Sequence, residues 1–341
     1  MIRRRAATTA IGLDLGVKTL RALQLQRRRG RWETLDAVAL TRTNPGQTFD
    51  VDEALRLAAV LGRRSFVGRN LVVSLPNRDL IRGLVEVNDQ TDGGPMYEAA
   101  LEIERTHHLE PGTYELAAWM PPASGARRQT TVCVNGCRHR DAQTLLDAFD
   151  AAGLSVAALD SRACAIGRAL ETPHATPQEL TAVLDIETDS TELILLHEGN
   201  VVYQRGLIDA GLDQAEKRLA GHGLDADAAH HALTTIGLSD LEHAHAEPVR
   251  KALVGYTRNL VQEAEPALDY AARIYTDLPI ERFAVVGGGA AVPGLGYELQ
   301  QQLRLRGRAT PTEAASLDDA SVFAVALGLT QHPEEASWAA A

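Results

Sequence analysis

Two stretches far apart in this chain have the same form. "IGLDLGVKTLRAL" starts at Ile11 and "AVLDIETDSTELI" at Ala182. Set one above the other, Asp14 lies over Asp185, Gly16 over Glu187 and Thr19 over Ser190. Each reads as an apolar strand holding one acid, a polar turn and a second strand, with a third strand next. A unit of this kind at the head of each half is an internal repeat, and it asks for two related domains. It also poses a chemical question. An unpaired carboxylate inside a buried strand is costly enough to require a partner, a metal or a ligand.

The 341 residues suffice for two domains of ordinary size, and an apolar content of 45% supports a globular chain. A net charge of -11 and an isoelectric point near 5.5 argue against general nucleic-acid binding. Cys133, Cys137 and Cys164 form no disulfide framework, which points to a reducing compartment. No apolar run reaches the roughly 18 residues of a membrane span. The basic start "MIRRRA" is followed by no signal-peptide core and reads as a frayed terminus.

Between the repeats, "DVDEALRLAAVLG" has helical spacing after an N-cap candidate, Asp50, and "NLVVSLP" and "LIRGLVEV" read as strands. From "NDQTDGGP" the texture changes to a small α+β block: helix "MYEAALEIERTHH", strands "YELAAWM" and "QTTVCVNG", helix "RDAQTLLDAFDAAGL" and strand "SVAALD". The expected organisation is a first domain over 1–87, an inserted subdomain over 88–155 and a return segment over 156–180. A second domain over 181–332 carries a helical part at about 212–275, and 333–341 form a disordered tail. Cys133 and Cys137 flank "VNG", read as a turn. Seven histidines, His107, His108, His222, His230, His231, His243 and His245, show no ligand spacing and read as solvated.

Two strand hairpins whose turns face each other hold a triphosphate well, because exposed backbone N–H groups and small hydroxyls bind anions. Their acids then hold Mg²⁺ on the phosphate oxygens through water. A third element, "VVGGGAAVPGL", places Gly287, Gly288 and Gly289 after a strand, where backbone approaches a flat ring closely, and Pro293 suits the first turn of a helix.

This order resembles the actin, Hsp70 and sugar-kinase superfamily. Within it, "IGLDLGVKTLRALQL", "LVVSLPNRDLIRGLVEV", "AAGLSVAALDSRACAIGRAL" and "VVGGGAAVPGLGYELQQQL" are most similar to the PilM family, the FtsA-like branch that serves type IV pilus assembly. The resemblance covers about Ala10 to Leu329, and the insertion after Val87 sits where FtsA and PilM carry theirs. It implies an α/β fold of duplicated actin-like, ribonuclease-H-type domains. It implies ATP and Mg²⁺ as ligands, with Asp14, Gly16, Lys18, Thr19, Arg21, Asp185, Thr188, Ser190, Gly211, Gly287, Gly288, Gly289 and Pro293 at the nucleotide and Asp14 and Asp185 at the metal. It further implies a cytoplasmic scaffold at the inner face of the bacterial inner membrane. Its partner is the cytoplasmic tail of a PilN-like membrane protein, with pilus motor ATPases and self-association also in view.

Two departures modify the expectation. The family's second phosphate loop reads Asp-Ile-Gly, whereas this chain reads Asp185-Ile186-Glu187, which sets a carboxylate beside the phosphates at a repulsion on the order of a few kcal/mol. The segment matched to the ribose-binding helix, "LDADAAHHAL", lacks the usual Glu and Lys. Weak ATP binding and negligible turnover are therefore expected. An ATP-dependent sugar or acetate-type kinase, an FtsA-like polymer and the cytoplasmic part of a GspL-like secretion protein stand as alternatives.

Overall fold

The computed structural model describes residues 7–88, 93–121, 129–171, 179–239, 242–305, 307–308, 310 and 319–333. The basic start and all of the expected tail except Pro333 lie outside them.

The repeat is a repeat of topology. In the first half β1 (Ile11–Leu15), β2 (Thr19–Arg28) and β3 (Arg31–Thr41) form an antiparallel meander. After α1 (Val51–Arg63), β4 (Asn70–Ser74) pairs parallel to β1. All five residues of β1 are buried, as a central strand covered on both faces requires. Asp50 caps α1, its carboxylate accepting from the Glu53 N–H at 2.9 Å.

The chain then leaves this sheet. β5 (Leu80–Asn88), α2 (Pro95–Thr106), β6 (Tyr114–Trp119) and β7 (Gln129–Arg138) build a separate sheet of order β5-β7-β6. Its own small core holds Ile81, Val85, Ile103, Val132 and Val134. α3 (His139–Ala151) and β8 (Ser155–Asp160) return to the first domain, where β8 pairs with β4 and the Phe149 ring lies 4.9 Å from that of Phe49. Sheet pairing thus places the insertion at 80–138 and corrects the expected 88–155. "LIRGLVEV" reads as a strand in either sheet, and only its partner decides. The "VNG" between the cysteines is no turn but the middle of β7, where a Cβ on Gly136 would meet the Glu115 carbonyl at 2.2 Å.

α4 (Arg162–Leu170) leads to the second half. There β9 (Leu180–Ile186), β10 (Thr191–His197) and β11 (Asn200–Leu207) repeat the meander. Three helices follow: α5 (Asp213–Ala220), α6 (Ala226–Thr235) and α7 (Ala246–Ile274). β12 (Ile280–Val286) then pairs parallel to β9, and a 3-10 turn (Gly287–Ala291), α8 (Leu295–Gln302), β13 (Gly307–Arg308) and α9 (Ala324–Leu329) end the fold. The sheets read β3-β2-β1-β4-β8 and β11-β10-β9-β12-β13, the same order strand for strand.

α4 and α9 lie between the two sheets and share one core with both: Leu23, Leu25 and Val72 from the first, Val183, Ile194 and Val286 from the second. Every residue of α9 is buried. The contact is close enough that a Cβ on Gly328 would sit 1.7 Å from the Ala165 carbonyl oxygen, and one on Gly12 would sit 2.0 Å from that of Ala326. The open ends of both sheets therefore face one cleft.

Candidate functional site: a charged cluster between the two repeats

In the antiparallel ladder of β1 and β2, Asp14 stands directly opposite Arg21. Opposed residues project on the same face. Arg21 Nη1 accordingly donates to Asp14 Oδ2 at 3.1 Å. Ser74, at the end of β4, donates to the other oxygen of Asp14 at 3.2 Å while accepting from the Leu15 N–H.

Glu187 reaches into the same space from the second repeat. Its Oε1 accepts from Arg21 Nη1 at 2.9 Å and from Arg162 Nη2 at 2.9 Å. Arg162 is the first residue of α4, directly after the N-cap Ser161. Its guanidinium forks onto Asp185, Nε to Oδ2 at 2.9 Å and Nη2 to Oδ1 at 3.1 Å, and its remaining nitrogen donates to Asp14. The five side chains are all buried: Asp14 is 1% exposed, Asp185 2%, Arg162 3%, Arg21 5% and Glu187 8%.

Electrostatics follow from that enclosure. Burial alone would weaken the Arg162 cation, but Asp14, Asp185 and Glu187 override it and raise its pKa well above the ordinary value. Burial likewise pushes against ionised Glu187, and Arg21 and Arg162 reverse the sign, holding its carboxyl below the usual range. For Asp185 burial wins over Arg162, with Glu187 adding to it, and the carboxyl is raised.

The sequence-predicted residues separate here. Asp14, Arg21 and Asp185 come together, and the glycine run backs onto them. At φ +76°, Gly287 would place a Cβ 2.6 Å from Asp185 Oδ1 and 2.7 Å from Glu187 Oε1, while a Cβ on Gly288 would lie 3.4 Å from Arg21 Nη2. Gly289 packs against Ile186. Thr188 and Ser190 form the second turn, with Gly211 packed on it: the Thr188 carbonyl accepts from the Asp213 N–H and that of Ser190 from the Glu187 N–H. Gly16 faces this turn across the cleft. Lys18 points elsewhere, to Glu216 and Asp227 on α5 and α6 at 3.7 and 3.8 Å. Thr19 opens β2 opposite Thr41. Pro293 does not start α8. It precedes a left-handed N-cap, Gly294, and its carbonyl accepts from the Leu238 N–H. An acid and lysine pair exists after all one helix before the segment searched for it, Glu216 and Lys217 on α5. Glu216 is buried against Lys18 and His230, whereas Lys217 turns outward to Asp213.

Arg162 was not among the residues picked out from the sequence. The signal was present: "SRACAIGRAL" puts an arginine at the first position of a mostly apolar helix, against the helix dipole, whereas Arg168 in the last turn agrees with it.

Mg²⁺ and a triphosphate do not fit this arrangement. The oxygens that would hold the metal's water already accept from guanidinium groups. The space left between the turns is about 50 Å³, room for a water or two. A cavity of about 310 Å³ beside the glycine run is lined by Val285, Pro293, Tyr297 and Ser321 among others and touches none of the five charged residues.

Comparison with known proteins gives the same architecture. The solved PilM–PilN type IV pilus biogenesis complex contains a chain 25% identical to this one, with a TM-score of 0.73 over 95% of this chain and 98% of that one. The ethanolamine utilization protein EutJ from Carboxydothermus hydrogenoformans shares the fold at 14% identity, covering 97% of this chain and 93% of its own, with a TM-score of 0.56. MreB 5 of Spiroplasma citri, bound to AMPPNP, shares it at 13% identity over 98% of both chains, with a TM-score of 0.53. The family model described as type IV pilus assembly protein PilM matches residues 12–320, so the chain belongs to the PilM family of type IV pilus assembly proteins.

Proposed function

We propose that this chain is a non-enzymatic adaptor of the pilus assembly platform, that it captures the N-terminal cytoplasmic tail of a PilN-like membrane protein, and that it needs no nucleotide to do so. The observation that carries the reading is a small pocket of about 40 Å³ in the first domain, between its first turn, the segment after β4 and α3, with room for the tip of one side chain. Leu15, Val17, Phe49, Leu75, Pro76 and Leu145 form its apolar lining. Asp79 and Asp141 stand at its rim. Burial raises the Asp79 carboxyl, Arg78 opposes this and Asp141 adds to it, so a basic residue of the tail would meet this pair of acids beside Arg42 and Arg78, which line the same pocket. Tails at the cytoplasmic membrane face are rich in such residues. An extended peptide seated there gains from side-chain pockets, and its exposed charge pairs add little.

No helix among the described residues is long and apolar enough to cross a membrane. In this reading the partner tethers the chain to the inner face of the inner membrane. The test is a fluorescence anisotropy titration with the N-terminal cytoplasmic peptide of a PilN-like protein from the same organism. Val17→Glu and Asp141→Arg are each expected to weaken binding by at least about tenfold, roughly 1.4 kcal/mol. Unchanged affinity in both would remove the pocket from the reading.

A further inference from the structure

We infer that Arg162, with Arg21, is a resident substitute for a bound metal cation: it clamps the two halves of this molecule together through their carboxylates. The acids come from both repeats, Asp14 from β1, Asp185 from the end of β9 and Glu187 from the position directly after it. Without a cation between them these carboxylates repel across the cleft. In a nucleotide-binding member of this fold, the magnesium ion supplies the intervening positive charge. Here the chain supplies it from α4, the helix packed between both sheets.

Each of the five groups has a part. Arg162 reaches across the halves, to Asp14 on one side and to Asp185 and Glu187 on the other. Arg21 does the same between Asp14 and Glu187. Glu187 Oε1 accepts from both arginines at a single oxygen and Asp14 accepts from them at its two, so the residue that departs from the family's glycine joins the cations from the second repeat as Asp14 does from the first. A second tie lies at the rim of the cleft, where Lys18 of the first repeat meets Glu216 and Asp227 of the second. Three buried carboxylates against two buried guanidiniums leave little charge for a ligand to neutralise. The closed form is therefore the ground state of the free chain, and its population does not follow nucleotide concentration.

This inference rests on the cleft alone and not on the tail pocket, and its test contains no peptide. Hydrogen exchange of the full chain is followed by mass spectrometry over residues 12–20 and 185–191, with and without millimolar Mg-ATP, beside isothermal titration of the same ligand. The wild type is expected to show the same protection in both conditions and no heat of binding. The charge-balanced variant Arg162→Met with Glu187→Gly is expected to exchange at least about tenfold faster in these segments without ligand. It is also expected to recover protection in Mg-ATP. A wild type that gains protection or heat from Mg-ATP overturns the inference, and so does a folded double variant with wild-type protection. Circular dichroism establishes whether that variant folds; if it does not, the wild-type arm decides alone.

Discussion

An arginine at the first position of a helix faces the positive end of the helix dipole, so Arg162 is stable there only through the carboxylates that surround it. Truncating one partner of a buried ion network leaves the others uncompensated, which costs about 3–5 kcal/mol. Arg162→Ala is expected to lose that much in urea unfolding, and the double change with Glu187→Gly less than the sum of the two single changes, because one charge of each sign is removed. Equal and additive losses would mean that the two side chains do not act together. The acids were legible in the sequence because an acid in an apolar strand is conspicuous and occurred twice. Their partner was not, because Arg162 lies far from Asp14 along the chain and only the packing of α4 between the sheets brings them together. Cysteine chemistry belongs to the same scale. Burial, with Cys164 nearby, pushes the Cys133 thiol up to about 12. At pH 8 the native protein should therefore leave Cys133 unmodified by iodoacetamide while the unfolded chain exposes it; rapid native labelling at that residue would show that β7 opens.

Among the elements, local signals worked where the cause is local. Helical spacing and a capping acid gave α1, and Asp50→Ala is expected to cost about 1 kcal/mol, read as a lower urea midpoint with unchanged slope. Alternation around "GVK" gave the first hairpin. The misplaced boundaries had non-local causes. β5 carries no mark of which sheet it joins, and Asn135 and Gly136 look like a turn although their neighbours across β6 and β5 hold them in a strand. In α7, Tyr256 sits at a buried helical position and its hydroxyl donates to the Ala210 carbonyl at 2.9 Å, an oxygen that also accepts from Thr191. Tyr256→Phe removes one of the two donors to that oxygen, so a loss of about 1 kcal/mol is expected; a loss several times larger would mean that the loop before α5 depends on it.

On the scale of the whole molecule, the repeat carried the architecture: two sheets of one strand order, joined by α4 and α9, with the acids at facing ends. What the repeat could not convey is how the insertion is seated. Trp119 of β6 donates to the Val201 carbonyl at 2.7 Å, Gln204 donates to Asn135 at 2.8 Å, and Arg82 pairs with Glu192. These ties fix the insertion to the second domain as well as to the first, so the tail pocket and the charged cleft lie on one connected body, sharing Leu15 and Val17 at the first turn. The central claim is that this body receives its partner in a form closed by its own arginines. The most direct measurement is the anisotropy titration of the PilN-like tail peptide against the wild-type chain, carried out in millimolar Mg-ATP and again after exhaustive removal of nucleotide. The expected result is the same dissociation constant in both; an affinity that appears only with Mg-ATP, or rises about tenfold with it, would contradict the claim.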